Sequence, residues 1–241
     1  AFVTFPVPTV TDNCDPNPTV TCTPPSGSFF ALSPTAGSTN HLVTCVARDA
    51  SGNTNICTFI VTIQDTMVPE FADTNNPIIS CPDLEHPLVL TNDPGKCYST
   101  FTFMRPLAVD NCCPLIISAS VSAIDENGAV IALTDLGNDM LQGQFPVTCG
   151  GGLNLVTVTA SDLRGNTSQH QCAIKVIDTE VPVIVCPGDQ TVSCTNGPVF
   201  FQEPTASDNC PIVTLTLNPT NGSSLGLGTH LIVAAATDCS G

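Results

Sequence analysis

The chain has 241 residues, with 21 Asp or Glu against 5 Lys or Arg, and its formal net charge is −16. This balance excludes the basic surface that nucleic acid or an anionic membrane requires. No apolar run reaches the length of a membrane-spanning helix, so we expect no membrane insertion.

The 14 cysteines indicate disulfide bonds. No Cys-x-x-Cys pair occurs, and the four histidines, which are His41, His86, His170 and His230, do not stand at metal-ligand spacing. Disulfides at this density are typical of an oxidising compartment. We therefore expect an extracellular protein, secreted or on a cell surface.

Three short motifs recur in the same order along the chain, which is the pattern of a tandem array of similar domains. The first motif, Asp-Asn-Cys, repeats every 98 residues, and a copy of about this length can bury a core of its own. The motifs are Asp-Asn-Cys beginning at Asp12, Asp110 and Asp208, then Asp-x-x-Gly beginning at Asp49, Asp162 and Asp238, then Asp-Thr-x-Val-Pro beginning at Asp65 and Asp178.

These motifs divide the chain into copies at residues 1–65, 66–178 and 179–241. The first copy lacks an opening strand and the third lacks a closing strand, so we interpret the chain as a window cut from a longer array. The second copy carries an insertion at about residues 125–144, in which Asp125-Glu126-Asn127-Gly128 predicts an added hairpin turn.

Alternation of apolar and polar residues predicts a β-strand on each side of the second motif. In the first two copies this motif continues to Asn, as Asp-x-x-Gly-Asn. That sequence predicts a hairpin turn, because Gly adopts positive φ without steric cost and Asp and Asn bond nearby backbone N–H groups. In copy one the apolar positions are Val43, Cys45 and Ala47 before the turn and Cys57, Phe59, Val61 and Ile63 after it.

No stretch sustains a helical period, and prolines recur too often for one. The predicted fold class is therefore all-β, with three tandem antiparallel β-sandwich domains that are rich in disulfides, the first and last of them incomplete. The Asp-Thr-x-Val-Pro junctions are short and contain Pro, so we expect neighbouring domains to be joined stiffly.

The motifs resemble those of the hyalin repeat, known as the HYR domain. That family's pattern is Cys-Pro, then Asp-Asn-Cys, then Asp-Ala-Ser-Gly-Asn, then a Cys-x-Phe-x-Val strand that ends in Asp. This sequence has Cys81-Pro82 and Cys186-Pro187, the three Asp-Asn-Cys motifs, Asp49–Asn53, and Cys57–Val61. The resemblance covers nearly the whole chain and implies an immunoglobulin-like sandwich, a role in extracellular adhesion and matrix structure, and no catalytic site.

Disulfide connectivity does not follow from sequence alone. Matching cysteines by their strands leaves Cys186 without a partner, and Cys14 and Cys57 without partners unless they pair with each other. A bridge between the adjacent Cys112 and Cys113 is disfavoured by strain. The expected pairs are Cys81–Cys172, Cys97–Cys112, Cys194–Cys210, Cys22–Cys45 and Cys113–Cys149.

No cofactor is expected, with calcium as the one alternative. Asp12 and Asp15 crowd one loop, and Asp135 and Asp139 crowd another, and calcium takes oxygen ligands from such groups. Asp is also an ordinary turn residue, so both interpretations stay open. Asn166 and Asn221 begin Asn-x-Ser/Thr sequons and are candidate glycosylation sites, with Asn166 expected to be exposed at the end of its turn.

The absence of a catalytic motif leaves three hypotheses. The first is a structural module, a stiff tandem array in a surface appendage, filament or matrix, whose partners are neighbouring copies or chains. The second is an adhesion or ligand-binding module whose exposed loops, above all residues 125–144, hold a protein or glycan. The third is an accessory segment beside an enzyme.

Overall fold

The computed structural model describes residues 1–33, 38–81, 84–110, 117–193, 197–211 and 213–240. All regular structure in these residues is β-strand, which confirms the all-β class. The strands are β1 (Phe2–Val3), β2 (Thr19–Thr23), β3 (Ser28–Phe29), β4 (Ser38–Arg48), β5 (Thr54–Gln64), β6 (Glu70–Phe71), β7 (Leu88–Thr91), β8 (Tyr98–Met104), β9 (Leu107–Val109), β10 (Ile117–Ser118), β11 (Ser120–Ile124), β12 (Val130–Ile131), β13 (Leu133–Gly137), β14 (Met140–Pro146), β15 (Asn154–Ser161), β16 (Thr167–Ile177), β17 (Val183–Val185), β18 (Thr205–Ser207), β19 (Thr214–Asn218) and β20 (Val233–Thr237).

The chain folds as two compact units, and the division into three domains stays a prediction. Unit 1 comprises Ala1–Ala72, Leu107–Ala119 and Thr159–Gln169. Unit 2 comprises Asp73–Pro106, Ser120–Val158 and His170–Gly241.

Unit 1 is built on a three-stranded antiparallel sheet in the order β2-β4-β5. β4 and β5 pair over eleven residues, from Ser38 opposite Gln64 to Arg48 opposite Thr54. Their alternation buries one face, as the sequence predicts, because successive side chains of a strand point to opposite sides. The small core on that face consists of Cys22, Phe30, Val43 and Cys45, with Phe5, Phe59, Val61 and Ile63 among the side chains packed against it.

Unit 2 contains a three-stranded sheet in the order β13-β14-β8 and most of a five-stranded sheet in the order β12-β11-β15-β16-β7. Every second residue of β15 within this unit is buried, from Asn154 to Val158. β7 pairs in parallel with the end of β16, Leu88 opposite Ile174, so the expectation of purely antiparallel pairing was wrong at this edge.

Both predicted turns of the second motif are present. The turn between β4 and β5 places Gly52 at φ +90°, and the turn between β15 and β16 places Gly165 at φ +89°. The predicted turn in the insertion joins β11 to β12, with Ile124 opposite Val130 and Gly128 at φ +83°. Glycine meets the same conformational demand at each of these turns.

Four disulfides join described cysteines. Cys22–Cys45 lies in unit 1, where the two residues are directly opposed on β2 and β4. Cys81–Cys172 lies in unit 2 and closes a sequence separation of 91 residues. Both pairs agree with the pairing expected from the strands.

The expected pairs Cys97–Cys112 and Cys194–Cys210 were wrong, because Cys97 is bonded to Cys210. The carbonyl of Lys96 accepts a hydrogen bond from Nδ2 of Asn209 at 3.0 Å, and this contact brings Cys97 beside the third Asp-Asn-Cys motif. Cys112, Cys113 and Cys194 lie outside the described residues.

The expected pair Cys113–Cys149 was also wrong, because Cys149 is bonded to Cys239. Both cysteines flank the end of β16. Thr148 donates its N–H to the carbonyl of Val176, and the N–H of Asp178 donates to Oγ of Ser240. These two loops therefore converge on one strand end, which the sequence pattern of either loop does not encode.

Candidate functional site

The turn of the second motif has the same hydrogen bonds in copy one and in copy two. In copy one, the backbone N–H and the side-chain Nδ2 of Asn53 donate to the carboxylate of Asp49, both at 2.7 Å. In copy two, the same two groups of Asn166 donate to Asp162 at 2.8 and 2.6 Å. The motif therefore forms the same hydrogen-bonded turn in both copies.

These donors lower the pKa of both carboxyl groups and so favour their charged form. The side-chain hydrogen bond from Asn53, together with backbone N–H groups of the turn, lowers the pKa of Asp49. Desolvation alone would raise the pKa of Asp162, but the hydrogen bonds from Asn166 and from the backbone outweigh it, and the pKa lies below its ordinary value.

Asp162 also belongs to a cluster of three carboxylates in unit 1. One carboxylate oxygen from each of Asp65, Asp110 and Asp162 lies within 4.8 Å of the others. Asp65 is 4% exposed and Asp110 is 7% exposed. The cluster combines the closing motif of copy one with the first and second motifs of copy two.

A related arrangement occurs in unit 2, where Asp178 and Asp208 approach Cys210. Cys210 is bonded to Cys97 and has no thiol to offer a metal. Nδ2 of Asn209 donates to both oxygens of Asp178, at 3.3 and 3.4 Å. Within the described chain, Oδ2 of Asp208 and Oδ1 of Asn209 are buried without a hydrogen-bond partner.

Carboxylate and amide oxygens are the hard donors that calcium takes, six to eight at a time. Among the described residues, the two clusters are therefore the groups that could hold a metal ion. Each of these aspartates belongs to a recurring motif of the sequence, but the sequence pattern did not bring them together. The recurrence of all three motifs in one order was the signal that could have pointed to their convergence.

The calcium candidates in the first loop are used by the backbone. Oδ1 of Asp12 accepts the N–H groups of Cys14 and Asp15, each at 2.8 Å. Asp15 accepts the N–H groups of Asn17 and Ala50 through its two carboxylate oxygens. Both residues act as turn caps in this structure, and calcium binding by them stays a prediction.

The candidates in the second loop are also engaged locally. Asp135 forms an ion pair with Arg105 at 3.1 Å and accepts the N–H of Gly137. Asp139 has φ +59° in a tight turn between β13 and β14, and its carbonyl accepts the N–H of Arg105. Calcium binding at this loop likewise stays a prediction.

The two sequon asparagines have engaged side-chain amides. Asn166 is half-buried, so its expected exposure was wrong, and its Nδ2 donates both to Asp162 and, at 3.4 Å, to the carbonyl of Asp65. Nδ2 of Asn221 donates to the carbonyl of Phe201 and to Glu203. A glycan would replace one hydrogen of either amide, and glycosylation stays a prediction.

Residues of the insertion, together with Pro146, line a groove of about 420 Å³ in unit 2. Polar groups of Thr134, Gln142 and Gln144 line it beside apolar groups of Val130 and Pro146. Gln142 is fixed by a hydrogen bond from its Nε2 to Oγ1 of Thr102 at 3.0 Å. The groove is a mixed surface that a small polar ligand or a peptide segment could contact.

No helix long and apolar enough to cross a membrane occurs in the part of the chain that the structure describes. Comparison with solved structures matches the extracellular cadherin domains 1–4 of protocadherin gamma B7, at 17% identity over 83% of this chain and 49% of that chain. The TM-score of this match is 0.28, which supports no inference about either unit.

Two curated relatives carry the name hyalin. The protein of Strongylocentrotus purpuratus is 30% identical over 99% of this chain and 18% of its own length, and that of Lytechinus variegatus is 31% identical over 93% of this chain and 38% of its own length. The chain thus spans well under half of either relative. The profile of the HYR domain matches residues 1–63 and 177–241, which is more than half of the chain. The chain belongs to the HYR domain family.

Proposed function

We propose that this chain is a structural extracellular module, a stiff tandem array of β-sandwich domains in a surface appendage, filament or matrix. The observation that carries the proposal is the use of the recurring residues. The same turn is formed in two copies by hydrogen bonds between the polar groups of an aspartate and an asparagine, which are Asp49 with Asn53 and Asp162 with Asn166. Residues that recur because they build a turn favour an architectural role over a chemical one.

The disulfides support an extracellular location. Four of them join described cysteines, and such bonds persist in oxidising compartments. The three in unit 2 close sequence separations of 91, 113 and 90 residues. Long crosslinked loops of this kind restrict the unfolded chain, which suits a module that must last outside the cell.

Electron microscopy of the native material under non-reducing conditions, with disulfide mapping on the same sample, tests this proposal. Three sandwiches end to end, with strands of about ten residues at roughly 3.3 Å each, would form rods on the order of 100 Å long. Regular rods or fibres are the expected result. Dispersed compact monomers with reduced cysteines would refute both the array and the extracellular location.

A second candidate, adhesion through a bound protein or glycan, is favoured by the groove at the insertion. Val130 stands 83% exposed at its edge, where an apolar side chain has no packing role within the unit. Deleting the whole insertion would be a poor test, because β14 pairs with β8 over seven residues. Point substitutions on the groove are the sharper experiment.

Val130→Ser with Thr134→Ala should abolish saturable binding to a glycan array or to extracellular proteins from the source tissue. Leu136→Ser is the matched control, because Leu136 is 52% exposed on the neighbouring strand but is not among the residues that line the groove. Equal loss in both variants, or no saturable binding by the parent chain, would argue against a ligand site here.

A further inference from the structure

Three cysteines stand in one row across the sheet of unit 1. Cys22 on β2 is directly opposite Cys45 on β4, and Cys45 is directly opposite Cys57 on β5. Both strand pairs are antiparallel, so opposed side chains project from the same face. Phe59, two residues after Cys57, packs against the core that contains Cys45, which places Cys57 on that same face.

The row contains one disulfide and one thiol. Cys22 and Cys45 are bonded and buried, at 7% and 1% exposure, whereas Cys57 is free and exposed. Directly opposed residues of antiparallel strands have Cα atoms about 4.5 or 5.5 Å apart. That separation falls within the range that a disulfide spans, so Cys45 has a second partner within reach.

We propose that this row is a thiol–disulfide exchange site, which moves the unit 1 disulfide between Cys22–Cys45 and Cys45–Cys57. The thiolate of Cys57 attacks Sγ of Cys45, a Cys45–Cys57 bond forms as the Cys22–Cys45 bond breaks, and Cys22 leaves as a thiolate that takes up a proton. One disulfide and one thiol stand on each side, so no oxidant or reductant is consumed.

The row fixes which sulfur is attacked. Cys45 is the middle residue, so Cys57 approaches it from the side opposite Cys22, which is the in-line direction for displacement at sulfur. Attack on Cys22 would need a bond across two strand spacings of about 4.8 Å each, too far for a disulfide. Exchange is therefore confined to these two pairings.

The exchange changes what unit 1 displays. With Cys22 bonded, the free thiol is the exposed Cys57, which can form a disulfide with another chain. With Cys57 bonded, the free thiol is Cys22 in its buried position. The site thus switches the unit between a state that can be crosslinked and a state that cannot, without a change in the number of disulfides.

The test uses the 241-residue chain with Cys14→Ser and Cys186→Ser, which removes the other exposed free thiols among the described residues. The protein is held at pH 8.5 without oxidant or reductant, then alkylated, acidified, digested with pepsin and mapped by mass spectrometry. We expect a Cys45–Cys57 peptide pair to accumulate together with alkylated Cys22, faster at higher pH because the thiolate is the nucleophile. Cys57→Ser is the matched control and should yield Cys22–Cys45 alone.

A second variant tests the geometry independently of the rate. In Cys22→Ser, oxidised glutathione should close Cys45–Cys57 in a chain whose β4 amides remain protected from hydrogen exchange. The proposal fails if Cys57 is alkylated completely at every time point and Cys45–Cys57 never appears in the first experiment. It also fails if folded Cys22→Ser keeps both thiols alkylatable after oxidation.

Discussion

Removing the Cys22–Cys45 bond should destabilise unit 1 in a measurable way. The bond closes a sequence separation of 23 residues, and among the described cysteines it is the one disulfide of its unit. By the chain-entropy relation, restoring that freedom to the unfolded state costs about 3 kcal/mol. The double variant Cys22→Ala with Cys45→Ala removes both sulfurs and also prevents exchange with Cys57.

Hydrogen exchange measured by mass spectrometry on peptides of β4 is the suitable assay. The chain has no Trp, and its one Tyr, Tyr98, lies in unit 2, so intrinsic fluorescence does not report on unit 1. A loss of about 3 kcal/mol lowers amide protection by a factor of about a hundred.

The exposed free cysteine Cys14 provides the control, because Cys14→Ala should leave protection of β4 unchanged. A loss of protection in the double variant of less than about fivefold, equivalent to roughly 1 kcal/mol, would refute the reasoning. Such a result would mean that the Cys22–Cys45 bond does not restrict the unfolded chain as the chain-entropy relation requires.

Three further predictions follow from unit 1 and unit 2. Because the pKa of Asp162 is depressed in the folded state, the stability that its carboxylate gives the turn should be complete above the ordinary Asp range and lost as pH falls through the folded pKa. Amide exchange of the turn, measured across pH 2–5, should show this pH dependence in the parent chain and lose it in Asp162→Asn. Gly165→Ala should destabilise unit 1 by about 1 kcal/mol in thermal unfolding, whereas Gly188→Ala, with open space and no positive φ, should be neutral. Disulfide mapping should recover Cys97 with Cys210, and another partner for Cys97 would contradict the structure.

The local parts of the fold were predictable because they depend on neighbours in sequence. Alternation gave the strands on both sides of the second motif, and the glycine and aspartate of that motif gave its turn. The same reasoning gave the turn at Gly128 inside the insertion. Period-two alternation states which face of a strand is buried, and a Gly with flanking Asp states where the chain reverses.

The remote contacts were not predictable from the same signals. Nothing in the alternation of β7 indicates that it pairs in parallel with β16. The bonds of Cys97 and Cys149 join residues that are 113 and 90 positions apart in the sequence. A strand pattern specifies orientation but not partner, so matching cysteines by their strands predicted Cys22–Cys45 and Cys81–Cys172 correctly and failed for the loop cysteines Cys97 and Cys149.

In the candidate site, a turn residue also makes a contact outside its own turn, which the turn pattern does not predict. Asn166 donates to Asp162 within its own turn and also to the carbonyl of Asp65 at 3.4 Å. Asn53 makes the same turn with Asp49, and no described contact extends from it to a closing aspartate. The motif is therefore sufficient for the turn by itself. The second contact of Asn166 joins it to a residue 101 positions away within unit 1, so it depends on the tertiary fold, which the turn pattern does not specify.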